Sequence, residues 1–383
     1  MAEKTLKLPS EVYAEIKDKP LIGKRRRVQL PQWAVAWLVL IPALVFLALF
    51  MFYPIINCFF MAFIRDFQYV DSGGTFALSN FFRAFSDPCL QPFEGAIHCT
   101  KRLGKYFMAF GFNNFQTVLS NELFLQSILN TAILVIVEVP LTIIISLLIA
   151  TFLNNIKALK GLYQTIFFLP YVTNSIALGL VFSILFSNTS GGIMNFIITR
   201  LGGQPVNFLG DIAGLPYKMP DGTIVELPAA SKFNQGIVIV VNSVWNGLAF
   251  KILVFMAGLA TIDKQYTDAA RIDGAKSFTI WRRITLPLLS PQILYITITS
   301  FIGAFKMYTG VISVYGQGAY YFGGINKTDW MPVVGWIYLQ MSNESQYKGI
   351  NLGVPAAGSL VLLAIIMLIT AVQFGVSKKR VHY

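Results

Sequence analysis

Residues 123–156 read LFLQSILNTAILVIVEVPLTIIISLLIATFLNNI, with Glu138 as the single charged side chain. A membrane-crossing helix needs about 20 consecutive, mostly apolar residues. This stretch exceeds that length and is too apolar for the surface of a water-soluble domain. The pattern recurs on both sides of it. Val28–Ile64, Gly161–Thr199, Ile284–Phe305 and Gly349–Ser377 carry no charge, and Phe233–Ile262 carries Lys251 alone. Six spans are predicted, over 33–60 (TM1), 127–154, 162–187, 236–260, 288–314 and 354–376 (TM6). The first run is too long for a signal-peptide core and lacks a small-residue cleavage site.

Composition agrees with an all-α polytopic membrane protein. The 383 residues are 55% hydrophobic and 13% charged, against about 25% charged in soluble domains. That balance excludes a soluble globular fold, a disordered chain and a small disulfide scaffold. The net charge of +12 is not a nucleic-acid signature, because the basic residues sort by side of the membrane. The arm 1–32, the loop 155–161, the loop 261–287 and the tail hold 18 of the 30 Lys and Arg. Positive segments stay inside, so both termini are expected in the cytoplasm. Residues 1–32 form a basic cytoplasmic arm, with a weak amphipathic pattern over Leu6–Ile16. Loops 61–126, 188–235 and 315–353 fall outside, and 377–383 is a cytoplasmic tail. In the second of these loops Met219–Thr223 reads as a turn and Thr223–Leu227 as a short strand. Trp330 and Trp336 fit an interfacial aromatic belt.

Cys89 and Cys99 share an outside loop, where a disulfide is permitted; two unrelated thiols fit the spacing as well. Cys58 reads as a small buried apolar residue. No Cys/His spacing suits a metal, and no G-x-x-x-x-G-K-[ST] phosphate loop is present.

The loop between the fourth and fifth spans reads YTDAARIDGAKSFTIWRRITLP over Tyr266–Pro287. Gly274 has no Cβ and suits a break between two short helices that needs φ > 0. Ala269, Ala270 and Ala275 permit close backbone approach, and Ile272, Phe278 and Trp281 offer an apolar face for a partner. Pro287 is expected to end the second short helix and let the fifth span start at a new angle. The segment resembles the EAA loop of ABC-importer permeases, E-A-A-x-x-D-G-A followed by I-x-L-P. Asp268, Ala269, Ala270, Asp273, Gly274, Ala275 and Pro287 occupy its positions; Asp268 stands where the family usually has Glu. Val240–Trp245, Met256–Ala260, Phe168–Pro170, Pro205–Leu209, Asn114-Phe115 and Asn130-Thr131 are similar to maltose-type and multiple-sugar permeases. The resemblance covers roughly 110–310 and makes 127–314 the permease core. It leaves 204–232 as an extracytoplasmic insertion and 263–287 as a cytoplasmic coupling loop.

The resemblance implies a type I ABC importer permease in a bacterial cytoplasmic membrane, moving a carbohydrate by alternating access. It implies a second, homologous permease subunit, two ATPase subunits docked on the EAA loops, and an extracytoplasmic solute-binding protein. ATP and Mg would sit on the ATPases, with no cofactor and no enzyme activity on this chain. The substrate path, carried over by position, takes Asn246, Gly247, Phe250, Ser300, Gly303, Ala304 and Met307, and Asn242 is added to it as a further hydrogen-bonding side chain. Gly303, Ala304 and Met307 replace aromatic or amide residues of the maltose permease, so a differently lined cavity is expected. Asn242 and Asn246 suit either a sugar site or bonds between helices. Lys251 and Lys306 suit an acidic sugar, such as a uronate oligosaccharide or a sugar phosphate. The alternative is that Lys306 snorkels outward and Glu138 pairs with Lys251 or with another helix. Glycerol-phosphate-type esters on the same scaffold are an alternative cargo. An ion-coupled secondary transporter would leave the EAA loop unexplained and calls for inverted repeats and broken midplane helices, neither of which the sequence displays.

Overall fold

The computed structural model describes residues 31–65, 68–69, 109–156, 160–189, 192–210, 214–315, 330–342 and 350–377. Leu6–Ile16, Cys89, Cys99 and the basic tail lie outside these, as do most of loops 61–126 and 315–353.

The chain divides into two units, 1–57 and 58–383. In the first, α1 (Gln32–Leu47) leads through one π turn (Ala48–Phe52) into α2 (Tyr53–Phe63), within which the division falls. The wide turn falls where Pro54 has no N–H to offer the preceding turn and its ring crowds a carbonyl. From Trp33 to Ile56 apolar side chains are exposed around the whole circumference of the helix. A helix apolar on every face belongs in lipid or against other helices.

In the second unit, α3 (Asn113–Ser120) precedes α4 (Glu122–Asn155), the long helix at its centre. Asn121 caps α4, accepting the Phe124 N–H at 3.0 Å. α4 packs along α8 (Lys232–Thr261), and the two run in the same direction. Leu134 shares one apolar cluster with Val238 and Ile239, whereas Leu147 and Leu153 share another with Leu248, Ile252 and Phe255. A third cluster joins α4 to α14 (Val333–Ser342) and α15 (Gly353–Ser377) through Phe124, Val135, Trp336 and Ala357.

The third predicted span is two helices. α5 (Lys160–Val172) and α6 (Ser175–Leu185) meet at 99°. Asn174 takes an extended ψ of 127° and caps α6, accepting the Ile176 N–H at 2.8 Å. The fifth span is broken as well. After α9 (Lys264–Ile272), α10 (Ser277–Ile280), a π turn (Trp281–Thr285) and α11 (Leu286–Leu288), the chain bends by 65° into α12 (Ser290–Phe305). The helix running from α10 through the π turn to α11 ends at Leu288, one residue after Pro287, and the bend falls at buried Leu289, so the fifth span starts at a new angle as expected. α12 stops before the predicted 314: Lys306 and Met307 N–H groups fold back onto Gly303 and Ala304 carbonyls at 3.1 and 3.0 Å. The chain restarts as α13 (Thr309–Tyr315). Among the described residues four helices are long and apolar enough to cross a membrane, or six if each bent pair is one span.

Trp330 and Trp336 correct the interfacial-belt expectation. Both are buried. Trp336 lies edge-on to Phe124 at 4.7 Å, in a slot that Gly358 keeps open. Trp330 Nε1 donates to the Lys232 carbonyl at 2.5 Å, and the Lys232 ammonium lies 5.0 Å above its ring.

Between α7 (Ile193–Arg200) and α8 stands a hairpin, β4 (Leu215–Lys218) against β5 (Ile224–Leu227), antiparallel with Tyr217 opposite Val225. Its turn is the predicted one. Gly222 takes φ 89°, and Asp221 accepts the Thr223 N–H at 2.9 Å and hydroxyl at 2.7 Å. Those bonds hold the Asp221 carboxyl below its ordinary pKa. Asparagines root the surrounding segment. Asn195 both donates to and accepts from the Val206 backbone at 2.8 Å, and Asn207 donates to the Pro228 carbonyl at 2.9 Å. Two two-residue strand pairs complete the described sheet structure, β1 (Ile64–Arg65) against β3 (Ala109–Phe110) and β2 (Gln68–Tyr69) against β6 (Ile350–Asn351).

Candidate functional site: a docking knob and an intramembrane polar face

The loop 263–287 folds as a helix–turn–helix knob. Asp263 caps α9, accepting the Gln265 N–H at 3.0 Å. At its far end Gly274 takes φ 79°. The Ala275 N–H returns to the Ala270 carbonyl at 2.9 Å and the Gly274 N–H to Arg271 at 3.0 Å, the paired bonds of a Schellman stop. A Cβ added at Gly274 would meet nothing within 4 Å, so the constraint there is backbone conformation alone. Asp268, Ala269, Asp273 and Gly274 are exposed, and Ala270, Ala275 and Pro287 half-buried. Asp268 pairs with Arg271 at 3.6 Å on the surface, an ion pair worth little in water. Ile272 and Phe278 are 87% and 67% exposed, apolar side chains that the chain itself leaves uncovered. Trp281 departs from them. It stacks on Phe278 at 6.0 Å but turns inward, and its Nε1 donates to Thr151 Oγ1 of α4 at 3.3 Å. Thr151 is a part of this site that sequence reasoning passes over, since nothing in an apolar span marks one threonine among several.

The predicted path residues separate into three groups. On α8, Phe250 stacks on Tyr171 of α5 at 6.1 Å, and Tyr171 in turn lies 5.3 Å from Phe168. Phe250 and Tyr171 are both exposed within the chain, with Asn246 and Gly247 half-exposed one turn before Phe250. Tyr171 was legible only as the i+3 partner of Phe168, beside Pro170.

The second group ties helices together. Buried Asn242 donates to the Gly310 carbonyl at the start of α13 at 3.0 Å. Asn246 donates back to the Asn242 carbonyl and side-chain oxygens at 2.8 and 3.0 Å. Ser243 reaches Met307 Sδ at 3.9 Å. Ala304 is buried in the cluster around Trp336. The third group lies on α12: Gly303 and Lys306 are exposed, with open space at the Gly303 Cβ position, and Ser300 is half-buried.

Lys251 bends back along α8, its Nζ donating to the Gly247 carbonyl at 3.2 Å. Glu138 faces it from α4 and is buried. The two charges act on each other electrostatically without the N–O contact within 4 Å that would make an ion pair. Among the described residues no group of acidic, His or Cys side chains is arranged to hold a metal.

The comparisons with known proteins bear on this arrangement. Residues 124–382 match the family model described as "Binding-protein-dependent transport system inner membrane component". The chain is 29% identical over 274 residues to the sn-glycerol-3-phosphate transport system permease protein UgpA of Agrobacterium fabrum, covering 71% of this chain and 82% of that one. It is 30% identical over 204 residues to the lactose transport system permease protein LacF of Rhizobium radiobacter, covering 52% and 61%. It is 26% identical to the arabinooligosaccharides transport system permease protein AraP of Bacillus subtilis, covering 70% and 75%. In fold it is similar to a chain of a bacterial alginate ABC transporter solved with an alginate pentasaccharide-bound periplasmic protein. The TM-score is 0.64 at 16% identity, over 90% of this chain and 94% of that one. With the EAA-type knob at one end of the bundle and the matched residues spanning α4 to the C-terminus, the chain belongs to the inner-membrane components of binding-protein-dependent transport systems.

Proposed function

We propose that the chain is a permease subunit of an ATP-driven importer of oligosaccharides. It would work with a second permease, two separate ATPase subunits docked on the 263–287 knob and its counterpart, and an extracytoplasmic solute-binding protein. In this reading the bent pairs each count as one span, giving six, with both termini in the cytoplasm. The observation that carries the carbohydrate reading is the Tyr171–Phe250 stack beside Asn246 and Gly247. Sugar sites pair an apolar aromatic face with a few hydrogen-bonding groups, and aromatic rings left exposed beside amides inside a bundle suit that use. Transport systems for lactose and arabinooligosaccharides among the relatives support it. A second reading, a glycerol-phosphate-type ester, draws on exposed Lys306 beside Gly303 on α12 and on the UgpA relatives.

The test is ATP hydrolysis by the complex purified through a tag on this chain, reconstituted with its binding protein and titrated with lactose, arabino-oligosaccharides and sn-glycerol 3-phosphate. Stimulation by an oligosaccharide is expected, with the half-maximal concentration raised about tenfold in Phe250→Ala, the scale of one lost stacking contact. Stimulation by the phosphoester alone would replace the first reading with the second. Absence of any co-purifying ATPase would overturn both.

A further inference from the structure

Charged side chains are rare inside this bundle, and two of them, Glu138 and Lys251, lie on the packed helices α4 and α8 without an ion-pair contact. Glu138 is the one charged side chain among the described residues that is buried, nine-tenths removed from solvent. Its Oε2 has neither solvent contact nor a hydrogen-bond partner. Thr142, one turn on, spends its hydroxyl on the Glu138 backbone carbonyl at 2.7 Å, so it does not serve the carboxylate. Across the α4–α8 interface Lys251 is half-buried, with a single hydrogen bond, to Gly247. Its curled position depends on that glycine: a Cβ at 247 would stand 2.7 Å from the ammonium and 3.3 Å from the Thr142 methyl. An ammonium has three N–H donors, so Lys251 keeps two to offer. In the chain it directly follows Phe250, whose ring is half of the exposed aromatic stack.

An uncompensated charge at depth in a membrane is costly and marks a cavity or a partner. A structural ion pair would close to contact, where attraction best offsets desolvation. Here the half-buried lysine is held instead along its own helix, on the carbonyl of half-exposed Gly247. We infer that Lys251 is the anion receptor of the proposed path, binding a carboxylate or phosphate oxygen of the solute, and that Glu138 is its positioning residue. Glu138 cannot itself reach a solute. It balances the ammonium while the path is empty and yields it when a solute anion arrives. This rests on the assignment of the path given above.

Two measurements test it. The first needs no knowledge of the cargo. In the assembled complex, with Cys58, Cys89 and Cys99 replaced by Ser, Asn246→Cys is modified with an anionic (sulfonatoethyl) and a cationic (trimethylammonioethyl) methanethiosulfonate. The rate ratio is expected to favour the anionic reagent and to fall about tenfold in Lys251→Met, the effect of one nearby charge at intermediate dielectric. Glu138→Gln is expected to raise it severalfold, and the double variant to match Lys251→Met. A ratio unmoved by Lys251→Met overturns the inference, as does a cysteine that neither reagent reaches in any nucleotide state.

The second measurement compares solutes that differ in charge: trigalacturonate, its methyl ester and sn-glycerol 3-phosphate. Lys251→Met is expected to raise the half-maximal concentration about tenfold for whichever charged solute stimulates the wild-type ATPase and to leave the ester unchanged. Trigalacturonate and the phosphoester separate a uronate cargo from a phosphate one. Equal losses for charged and neutral solutes, with the complex intact, make Lys251 structural. Stimulation by neutral sugars only overturns the anion receptor and leaves the carbohydrate importer standing. No stimulation by any solute sinks the carbohydrate reading, and the reagent ratio still decides on Lys251.

Discussion

Gly274 isolates one physical variable. Its φ of 79° is in the left-handed region, and no neighbour would touch an added Cβ. Replacement therefore costs conformation alone, roughly 1–2 kcal/mol for an unbranched residue and more for a β-branched one. Gly274→Ala is expected to keep the ATPase bound with weakened coupling. Gly274→Val is expected to lose most of it, read as ATPase recovered per permease in a pull-down. Full retention with Gly274→Val would remove the docking role of this turn. Gly247 is a glycine for the opposite reason: its φ is ordinary and its space is taken, by an ammonium on one side and a methyl on the other. Sequence pattern exposes the first kind of glycine, because a short helix, a Gly and a second short helix are contiguous. It hides the second kind, because the atoms that fill the space come from another helix.

At the scale of elements, the apolar spans were legible and their breaks were not. Composition is decisive in a bilayer, where every backbone group must be bonded within the helix or against protein. So α4, α8 and α15 lie close to their expected limits. Bends depend on single polar contacts. Asn174 turns α5 into α6 with one cap, and nothing distinguishes it in sequence from Asn242, which lies within a continuous helix. The break at 306–308 follows Gly303-Ala-Phe, residues that continue helices as readily as they end them. Its far side is held by Asn242 donating to the Gly310 carbonyl, a partner 68 residues away. Asn242→Leu should leave that carbonyl only the longer bond from the Ser313 hydroxyl at 3.4 Å, at a cost of about 1 kcal/mol. A lowered Tm of the purified complex measures it. An unchanged Tm would mean that the break is held by packing of Val311 and Val314 alone. The two tryptophans expected at the interface failed for a related reason: their indoles found slots beside Gly236 and Gly358, and a burial site made of absent side chains leaves no mark in hydropathy.

For the whole molecule, the question is how an event at the knob reaches the polar face. In the proposed coupling Trp281 would be the joint, since it is stacked on Phe278 and bonded to Thr151 of α4. Trp281→Phe keeps the stack and removes the bond. The ATPase should remain attached, while solute transported per ATP hydrolysed falls severalfold, and Thr151→Val should reproduce the defect. Normal coupling ratios in both variants would place the joint elsewhere, in the buried Leu289 bend.

The paired helices α4 and α8 are fastened near both ends. At one end Lys232 donates to Asn130 at 3.0 Å, with Trp330 over the lysine; at the other the Leu153–Phe255 packing lies beside the Trp281 joint. In mechanical terms the pair is a beam pinned at two points. In the proposed transport cycle such a beam would tilt as a unit and carry load from the knob to its far tip. The angular change would then fall on the Thr173–Asn174 elbow and the 306–308 gap, which flank the aromatic stack and the exposed face of α12. The cargo would thus lie between the hinges, where a small rotation of the beam changes the width of the passage most.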